Sequence, residues 1–286
     1  MEVLVWLLMF ILGTVFWSFG SVLIRRTSQS ISKETIKSIL YWRSECPQCF
    51  KKLGAKELVP VFSYLIQKGK CSVCGSKISS FYLWLEIFSW IAFVLSYIVM
   101  FLLGVEIFSL DFWMNLVFLT FVNWLLVLFV FYDLLFYEVN VYFWLTAIIW
   151  SIFWQFLWLT GDFEAAFLGG VAFFAWFMFI YIFGKYYVKF RFGEEDWEWI
   201  WGWDVMLAFL VGLLAFFMLQ DAEIVNIIYL FLVYMFLSSI LWLIFYGLSY
   251  FFYEWQQWRS IPFVPAMVVA YFILLFFADY FVSMFL

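Results

Sequence analysis

The chain has 286 residues, of which 68% are hydrophobic and 27% aromatic, with 20 acidic and 15 basic side chains. This composition excludes an ordinary soluble globular protein, whose apolar fraction is far lower. The chain contains no histidine, which excludes a Ser-His-Asp triad, a Cys-His pair and a histidine-ligated metalloprotease site.

Apolar segments of about 20 residues, long enough to cross the hydrocarbon core as helices, recur along nearly the whole chain. They predict an all-α polytopic membrane protein with about eight transmembrane helices. The predicted limits are 3–24, 83–104, 112–132, 139–160, 164–184, 202–219, 225–250 and 262–284. No basic region precedes the first segment, and Arg25 and Arg26 follow it, so we expect a spanning helix rather than a cleaved signal peptide.

The distribution of charge predicts how these spans are oriented. Eleven of the 15 basic residues fall between Arg25 and Lys77. The remaining four are Lys185, Lys189, Arg191 and Arg259. With the N-terminus outside, all the basic clusters face one side of the membrane, which the positive-inside rule identifies as the cytoplasm. This topology places both termini outside and explains the basic residues without a nucleic-acid partner.

All four cysteines lie in the polar loop that follows the first predicted span. They form two C-x-x-C pairs separated by 21 residues, Cys46 with Cys49 and Cys71 with Cys74. Two thiolates from each pair suit one tetrahedral metal ion, as in a structural zinc ribbon. A loop of this size has too small a hydrophobic core to be stable alone, so bound zinc would supply folding energy. A reducing cytoplasm also favours metal over disulfides.

These features predict three parts along the chain. The first transmembrane helix occupies 1–24, a cytoplasmic loop domain with the four cysteines occupies 25–82, and a seven-helix membrane domain occupies 83–286. No internal repeat is expected in any of them.

Two carboxylates lie at the predicted cytoplasmic boundary, Asp133 at the end of the third span and Asp204 at the start of the sixth. Two neighbouring carboxyl groups share a proton, so one can act as acid while the other acts as base on a water molecule. The alternative is that each is an ordinary charge at a helix end, where the helix dipole would favour Asp204. A polar residue inside a span, such as Asn123, is expected to form a hydrogen bond between helices.

The segments around the cysteines are specific. They read R-S-E-C-P-Q-C from Arg43, E-L-V-P-V from Glu57, G-K-C-S-V-C from Gly69, and I-S-S-F-Y before Glu86. This frame resembles the type IV prepilin leader peptidase family, a group of bacterial integral-membrane aspartyl proteases. Two outer segments are also similar to the family's motifs: S-F-G-S-V from Ser18, and I-P-F-V-P near the end of the chain.

The resemblance implies that Asp133 and Asp204 are the catalytic aspartates. Asp133 stands in Y-D-L where the family has I-D-L, and Asn140 replaces the proline that follows. Asp204 stands in the family's G-x-G-D-V-K-L segment. Here Trp201 and Trp203 replace the two motif glycines, and Met206 replaces the lysine.

The resemblance further implies a substrate, a cofactor and a location. The substrate would be a pilin-like or pseudopilin precursor, cleaved after its basic leader at the cytoplasmic boundary of the bacterial inner membrane. The cysteine loop and the aspartates would face the cytoplasm. Many members also methylate the new N-terminus with S-adenosylmethionine, an activity associated with the cysteine-bearing loop.

Two alternatives stay open at this point. The tryptophans at the glycine positions would suit a non-catalytic relative that acts as a membrane scaffold in pilus or secretion assembly. A transporter is less well supported, because the polar residues concentrate at one interface rather than at the middle of the membrane.

Overall fold

The computed structural model describes most of the chain. The described residues are 2–27, 39, 43–59, 61–102, 106–107, 109–136, 138–158, 163–192, 202–217, 224–252 and 263–283. Trp201 lies outside this set, and the side chain of Trp203 lies outside the described side chains.

Helices dominate the described residues, which contain no β-strand and only two isolated β-bridges. The helices are α1 (Glu2–Thr27), α2 (Phe62–Ile66), α3 (Ser80–Leu102), α4 (Leu110–Phe136), α5 (Val141–Trp158), α6 (Phe163–Phe192), α7 (Gly202–Phe217), α8 (Ile224–Phe252) and α9 (Val264–Ser283). A 3₁₀ turn covers Ala55–Glu57. The predicted all-α class is confirmed. Within the described ranges each predicted span overlaps one long helix, and α2 is a short helix outside the predicted spans.

Three helical segments are long and apolar enough to cross a membrane, judged on the described residues. They are Ser80–Leu102, Leu110–Phe136 and Ala166–Phe183. Shorter apolar helical segments lie in α5, α7, α8 and α9. Together with the eightfold recurrence of apolar sequence, they identify a multi-pass membrane protein.

Met1–Phe131 form one compact unit and Tyr132–Leu286 form another, so α4 contributes residues to both. The predicted division at residues 24 and 82 stays a prediction. In the first unit α1 packs on α3. The amide nitrogen of Asn123 donates a hydrogen bond of 2.9 Å to Oγ of Ser96 between α4 and α3, as expected for this residue.

In the second unit α7 packs most extensively against α6, and α9 packs against α8 and α7. The contact between α6 and α7 requires glycine at one point. A Cβ added to Gly212 would lie 2.7 Å from the carbonyl oxygen of Gly169 and 2.9 Å from Cβ of Phe173. Backbone at that distance cannot move aside as a flexible side chain can. Gly212 therefore holds α7, the helix of Asp204, close to α6.

Candidate metal and catalytic sites

The four cysteine sulfurs converge on one point. All lie within 4.8 Å of one another, with Sγ of Cys46 3.8 Å from Sγ of Cys74 and Sγ of Cys49 4.0 Å from Sγ of Cys71. A tetrahedral site with Zn–S bonds of about 2.3 Å has sulfurs about 3.8 Å apart, far beyond disulfide bonding distance. The thiols are unbridged, and the cluster has the size to hold one tetrahedral metal ion.

Each C-x-x-C pair sits in a short hairpin, and the two hairpins have the same hydrogen bonds. In the first, the N–H of Cys46 donates to Lys51 O, that of Phe50 to Cys46 O, and that of Leu53 to Ser44 O. In the second, the N–H of Cys71 donates to Ser76 O, that of Gly75 to Cys71 O, and that of Ile78 to Gly69 O. Every donor and acceptor is displaced by 25 residues. The expectation of no internal repeat is therefore wrong, and the paired strings C-P-Q-C-F-K-K-L and C-S-V-C-G-S-K-I are the signal that was missed.

The repeat extends to an unusual backbone conformation. Phe50 has φ of +56° and the equivalent Gly75 has φ of +69°. Glycine adopts this left-handed region freely, whereas phenylalanine is strained there. Backbone N–H groups of Cys49 and then Gln48 lower the pKa of the Cys46 thiol to about 6, which favours the thiolate that binds metals. The two hairpins therefore share a backbone conformation as well as a hydrogen-bond pattern.

Glu57 ties the two hairpins together. Its Oε1 accepts hydrogen bonds from Nζ of Lys51 at 2.6 Å and from Oγ of Ser72 at 2.5 Å, and its Oε2 accepts one from the N–H of Gly54 at 2.9 Å. Lys51 belongs to the first hairpin and Ser72 to the second. The Gly54 N–H, then Lys51 and Ser72, lower the pKa of Glu57 to about 2. The carboxylate therefore remains charged wherever thiolates bind metal.

Replacing Glu57 with glutamine should loosen the cysteine cluster. The amide cannot form the ion pair with Lys51, and partners just outside a metal site typically change its affinity by 10–100-fold. We expect a chelator to remove bound metal at a several-fold lower concentration. Glu45→Gln is the matched control, because Glu45 is exposed in the same loop and its side chain has no hydrogen bond among the described residues. Equal chelator sensitivity of the two variants would show that Glu57 does not support the cluster.

The first unit also encloses a cavity of about 960 Å³ beside the cysteine loop. Charged side chains of both signs contribute to its wall. They are Arg25, Arg26, Arg43, Glu45, Lys52, Glu57, Lys77 and Glu86. Tyr82 lies in the same wall, with the Arg25 guanidinium 4.7 Å from the centre of its ring. A cavity of this volume and polarity can accommodate a zwitterionic small molecule.

The second unit brings Asp133 and Asp204 together. Asp133 lies in the last turn of α4 and Asp204 in the first turn of α7. Both are buried, with 5% of each residue exposed, and their carboxyl groups are near enough to interact electrostatically. Oδ2 of Asp133 has no hydrogen-bond partner among the described residues. Buried carboxyl groups near enough to interact electrostatically cannot both ionise freely, so they suit the sharing of one proton.

A third helix end reaches this pair. The backbone N–H of Val264, the first residue of α9, lies near enough to the Asp133 carboxyl to interact with it. Pro265 follows in the first helical turn. The N–H groups of this turn have no partner within the helix, so a proline, which lacks the N–H, is tolerated there. The sequence motif I-P-F-V-P marked this segment without indicating that its backbone would contact Asp133.

Two departures from the expected motifs have structural counterparts. Asn140 acts as the N-cap of α5, because its Oδ1 accepts the N–H of Tyr142 at 3.0 Å. It therefore starts that helix by capping, where a proline would do so by its fixed φ. At Met206 the backbone carbonyl accepts the indole N–H of Trp144 at 2.7 Å, which links α5 to α7 two residues after Asp204.

Comparison with known proteins agrees with this architecture over the first third of the chain. Residues 11–100 match the family model described as the bacterial peptidase A24 N-terminal domain. Similar proteins include prepilin leader peptidase/N-methyltransferases of three bacteria. That of Bacillus subtilis is 51% identical over 45 residues, 16% of this chain and 18% of the relative. That of Dichelobacter nodosus is 46% identical over 50 residues, 18% of each chain. That of Vibrio cholerae is 34% identical over 92 residues, 30% of this chain and 35% of the relative.

The chain thus spans between about one fifth and one third of the length of these relatives. No solved structure matches the chain. The matched part includes all four cysteines and the frame around them, and the resemblance inferred from the sequence is confirmed. Residues 11–100 of the chain are therefore similar to the bacterial peptidase A24 N-terminal domain, and the similar proteins are named prepilin leader peptidase/N-methyltransferases.

Proposed function

We propose that the protein is a membrane aspartyl endopeptidase that removes the leader from type IV pilin-like or pseudopilin precursors. The observation that carries this proposal is the buried pair of Asp133 and Asp204 in a chain with a peptidase A24 N-terminal domain. Proteins to which this chain is similar are named prepilin leader peptidase/N-methyltransferases.

The chemistry of the pair follows from one shared proton. One carboxylate takes a proton from a water molecule, whose oxygen attacks the carbonyl carbon of the scissile peptide. The other carboxylic acid donates its proton to the carbonyl oxygen. When the tetrahedral intermediate collapses, the C–N bond breaks and the leaving amine receives a proton from the pair. No histidine is needed, in agreement with the composition.

The geometry of the pair suits a substrate that is itself partly in the membrane. Asp133 and Asp204 lie at helix ends rather than at mid-helix, so a peptide bond at the membrane boundary would reach them. We place this boundary on the cytoplasmic side, since the basic residues of the cysteine loop follow α1 and the positive-inside rule applies to such loops. The precursor's basic leader would then remain in the cytoplasm while its apolar helix lies in the bilayer.

We assign structural zinc to the cysteine cluster. Four unbridged thiols at tetrahedral spacing are the donor set that zinc prefers, and they leave no open position for a substrate. The metal would hold the two hairpins together, and the peptidase chemistry would belong to the aspartates.

Methylation of the new N-terminus is a second candidate function, and the 960 Å³ cavity favours it. S-adenosylmethionine carries a carboxylate, an ammonium group and a sulfonium, which suit a wall of arginines and glutamates such as Arg43 and Glu45. When bound, it supplies an electrophilic methyl group to an amine. We expect labelled methyl groups on the N-terminal residue of the processed precursor and binding of S-adenosylmethionine to the purified protein. Unmethylated product together with no measurable binding would remove this role from the cavity.

The test of the peptidase proposal is removal of the leader from a co-expressed precursor, followed by mass spectrometry of the product. A chain that stabilises the assembly machinery but leaves the leader intact would be a scaffold instead.

A further inference from the structure

Helix α2 presents an apolar face outward from the cysteine loop. Phe62, Leu65 and Ile66 are 52%, 58% and 78% exposed, respectively. Residues spaced by three and four positions share one side of a helix. These three large side chains therefore form one continuous apolar face, which we call the α2 face.

The opposite side of α2 is polar and faces inward. Ser63, Tyr64 and Gln67, the residue that follows the helix, line the polar cavity of the first unit. A short helix on a water-exposed domain normally has the reverse arrangement, with its apolar stripe toward the core. In this protein the polar side of α2 lines the cavity, so its apolar side points away from the protein. That side would be stabilised by an apolar environment outside the protein.

The start of α2 is fixed beside a membrane-spanning helix. The N–H of Val61, the residue before α2, donates a hydrogen bond to the Glu86 carboxylate in α3. Glu86 lies six residues beyond the first residue of α3, Ser80, which corresponds to about 9 Å along the helix axis. The segment Ser80–Leu102 is long and apolar enough to cross a membrane. The α2 face thus lies beside the end of a helix that enters the bilayer.

Basic residues flank α2 in the sequence. Lys68 and Lys70 follow the helix and Lys56 precedes it, and all three are exposed. An apolar helix face bordered by lysines is typical of segments that lie in the interface of membranes with anionic lipids. The sequence contains no acidic residue between Glu57 and Glu86. Glu57 itself forms an ion pair with Lys51.

We propose that α2 is an interfacial anchor: its apolar face inserts at the boundary between the head groups and acyl chains of anionic phospholipids. The anchor holds the cysteine loop and its cavity against the membrane surface. This places the cavity at the level where a membrane-embedded substrate leaves the bilayer. The inference depends on the multi-pass fold and on the contacts of α2, and does not require that the aspartate pair be catalytic.

The test uses the full-length chain in vesicles of phosphatidylglycerol and phosphatidylcholine. A benzophenone amino acid is introduced at position 66, in the α2 face, or at position 67, which is directed to the cavity and serves as the matched control. After illumination, the position 66 protein should gain the mass of one phospholipid, and the position 67 protein should not. Elution of both proteins at the wild-type position in gel filtration shows that neither replacement has disrupted the fold.

Four results would overturn the proposal. Equal lipid labelling at positions 66 and 67, or none at 66, would show that the α2 face does not lie in the interface. Crosslinks from position 66 mainly to a second copy of the chain would show that the face is a dimer contact. Crosslinks mainly to a co-expressed precursor would show that it docks the substrate. The lysines give a further expectation: Lys68→Gln combined with Lys70→Gln should reduce labelling at position 66 more strongly in anionic vesicles than in pure phosphatidylcholine.

Discussion

Replacing either Asp133 or Asp204 with asparagine should abolish removal of the precursor leader, lowering the rate by a factor on the order of 10³ or more. Asparagine keeps the size of the side chain but can neither take a proton from water nor share one with its neighbour. Because the two carboxyls act as a unit, the double variant should be no less active than either single variant. The measurement is the fraction of precursor processed over time in membranes that contain equal amounts of each variant.

The matched control for these variants is Asp111→Asn. Asp111 lies in the first turn of α4, the helix that carries Asp133, and its side chain is exposed. Asp111 stands 22 positions before Asp133, which corresponds to about 33 Å along the helix. Asp111→Asn should process the precursor at the wild-type rate. Processing by Asp133→Asn or Asp204→Asn at that rate would contradict the two-aspartate mechanism, and a wild-type chain without activity would favour the scaffold.

Cys71→Ser should release the metal from the cysteine loop and unfold it. The purified wild-type chain should contain one zinc ion per chain, because the four cysteine sulfurs converge on a single point. Structural zinc contributes about 10–16 kcal/mol of apparent binding free energy in small zinc-dependent domains. Losing one thiolate of four should therefore lower the zinc content measured by elemental analysis after dialysis against a mild chelator. The loop should then become sensitive to protease.

Val73→Ser is the control for this variant, since it introduces the same residue into the same hairpin. Val73 lies between Cys71 and Cys74, and its side chain is 65% exposed. It should retain full zinc content and protease resistance. Wild-type protein that contains no zinc when purified without chelators, or that contains a disulfide between these cysteines, would contradict the assignment.

The helices were largely predictable because each must present an apolar surface about 20 residues long to the bilayer, and this length is visible in the sequence. The first and last residues of the helices were less predictable. Helix α6 was predicted to end at residue 184 and continues to Phe192. Lys185, Lys189 and Arg191 end the apolar run, but they do not interrupt backbone hydrogen bonding, which continues beyond the membrane.

The sites divide in a similar way. The cysteine cluster could be predicted because the spacing of its ligands is local, and Asp133 and Asp204 could be proposed because charges are rare near membrane depth. The approach of the Val264 backbone to Asp133 could not be predicted, because it depends on where α9 begins in space rather than on any side chain. Likewise, α2 is so short that the periodicity of its sequence does not indicate whether its apolar face points into the protein or outward.

The repeated hairpins have a consequence for synthesis of the protein. The first hairpin, with Cys46 and Cys49, precedes the second by 25 residues. At about 5–20 residues per second, translation takes about 1–5 s to add them. For that interval the nascent chain carries two adjacent thiols with only half of the metal ligands. In an oxidising compartment these two thiols could form a disulfide with each other. Completion of the site therefore depends on the loop remaining in a reducing compartment until the second hairpin has been synthesised.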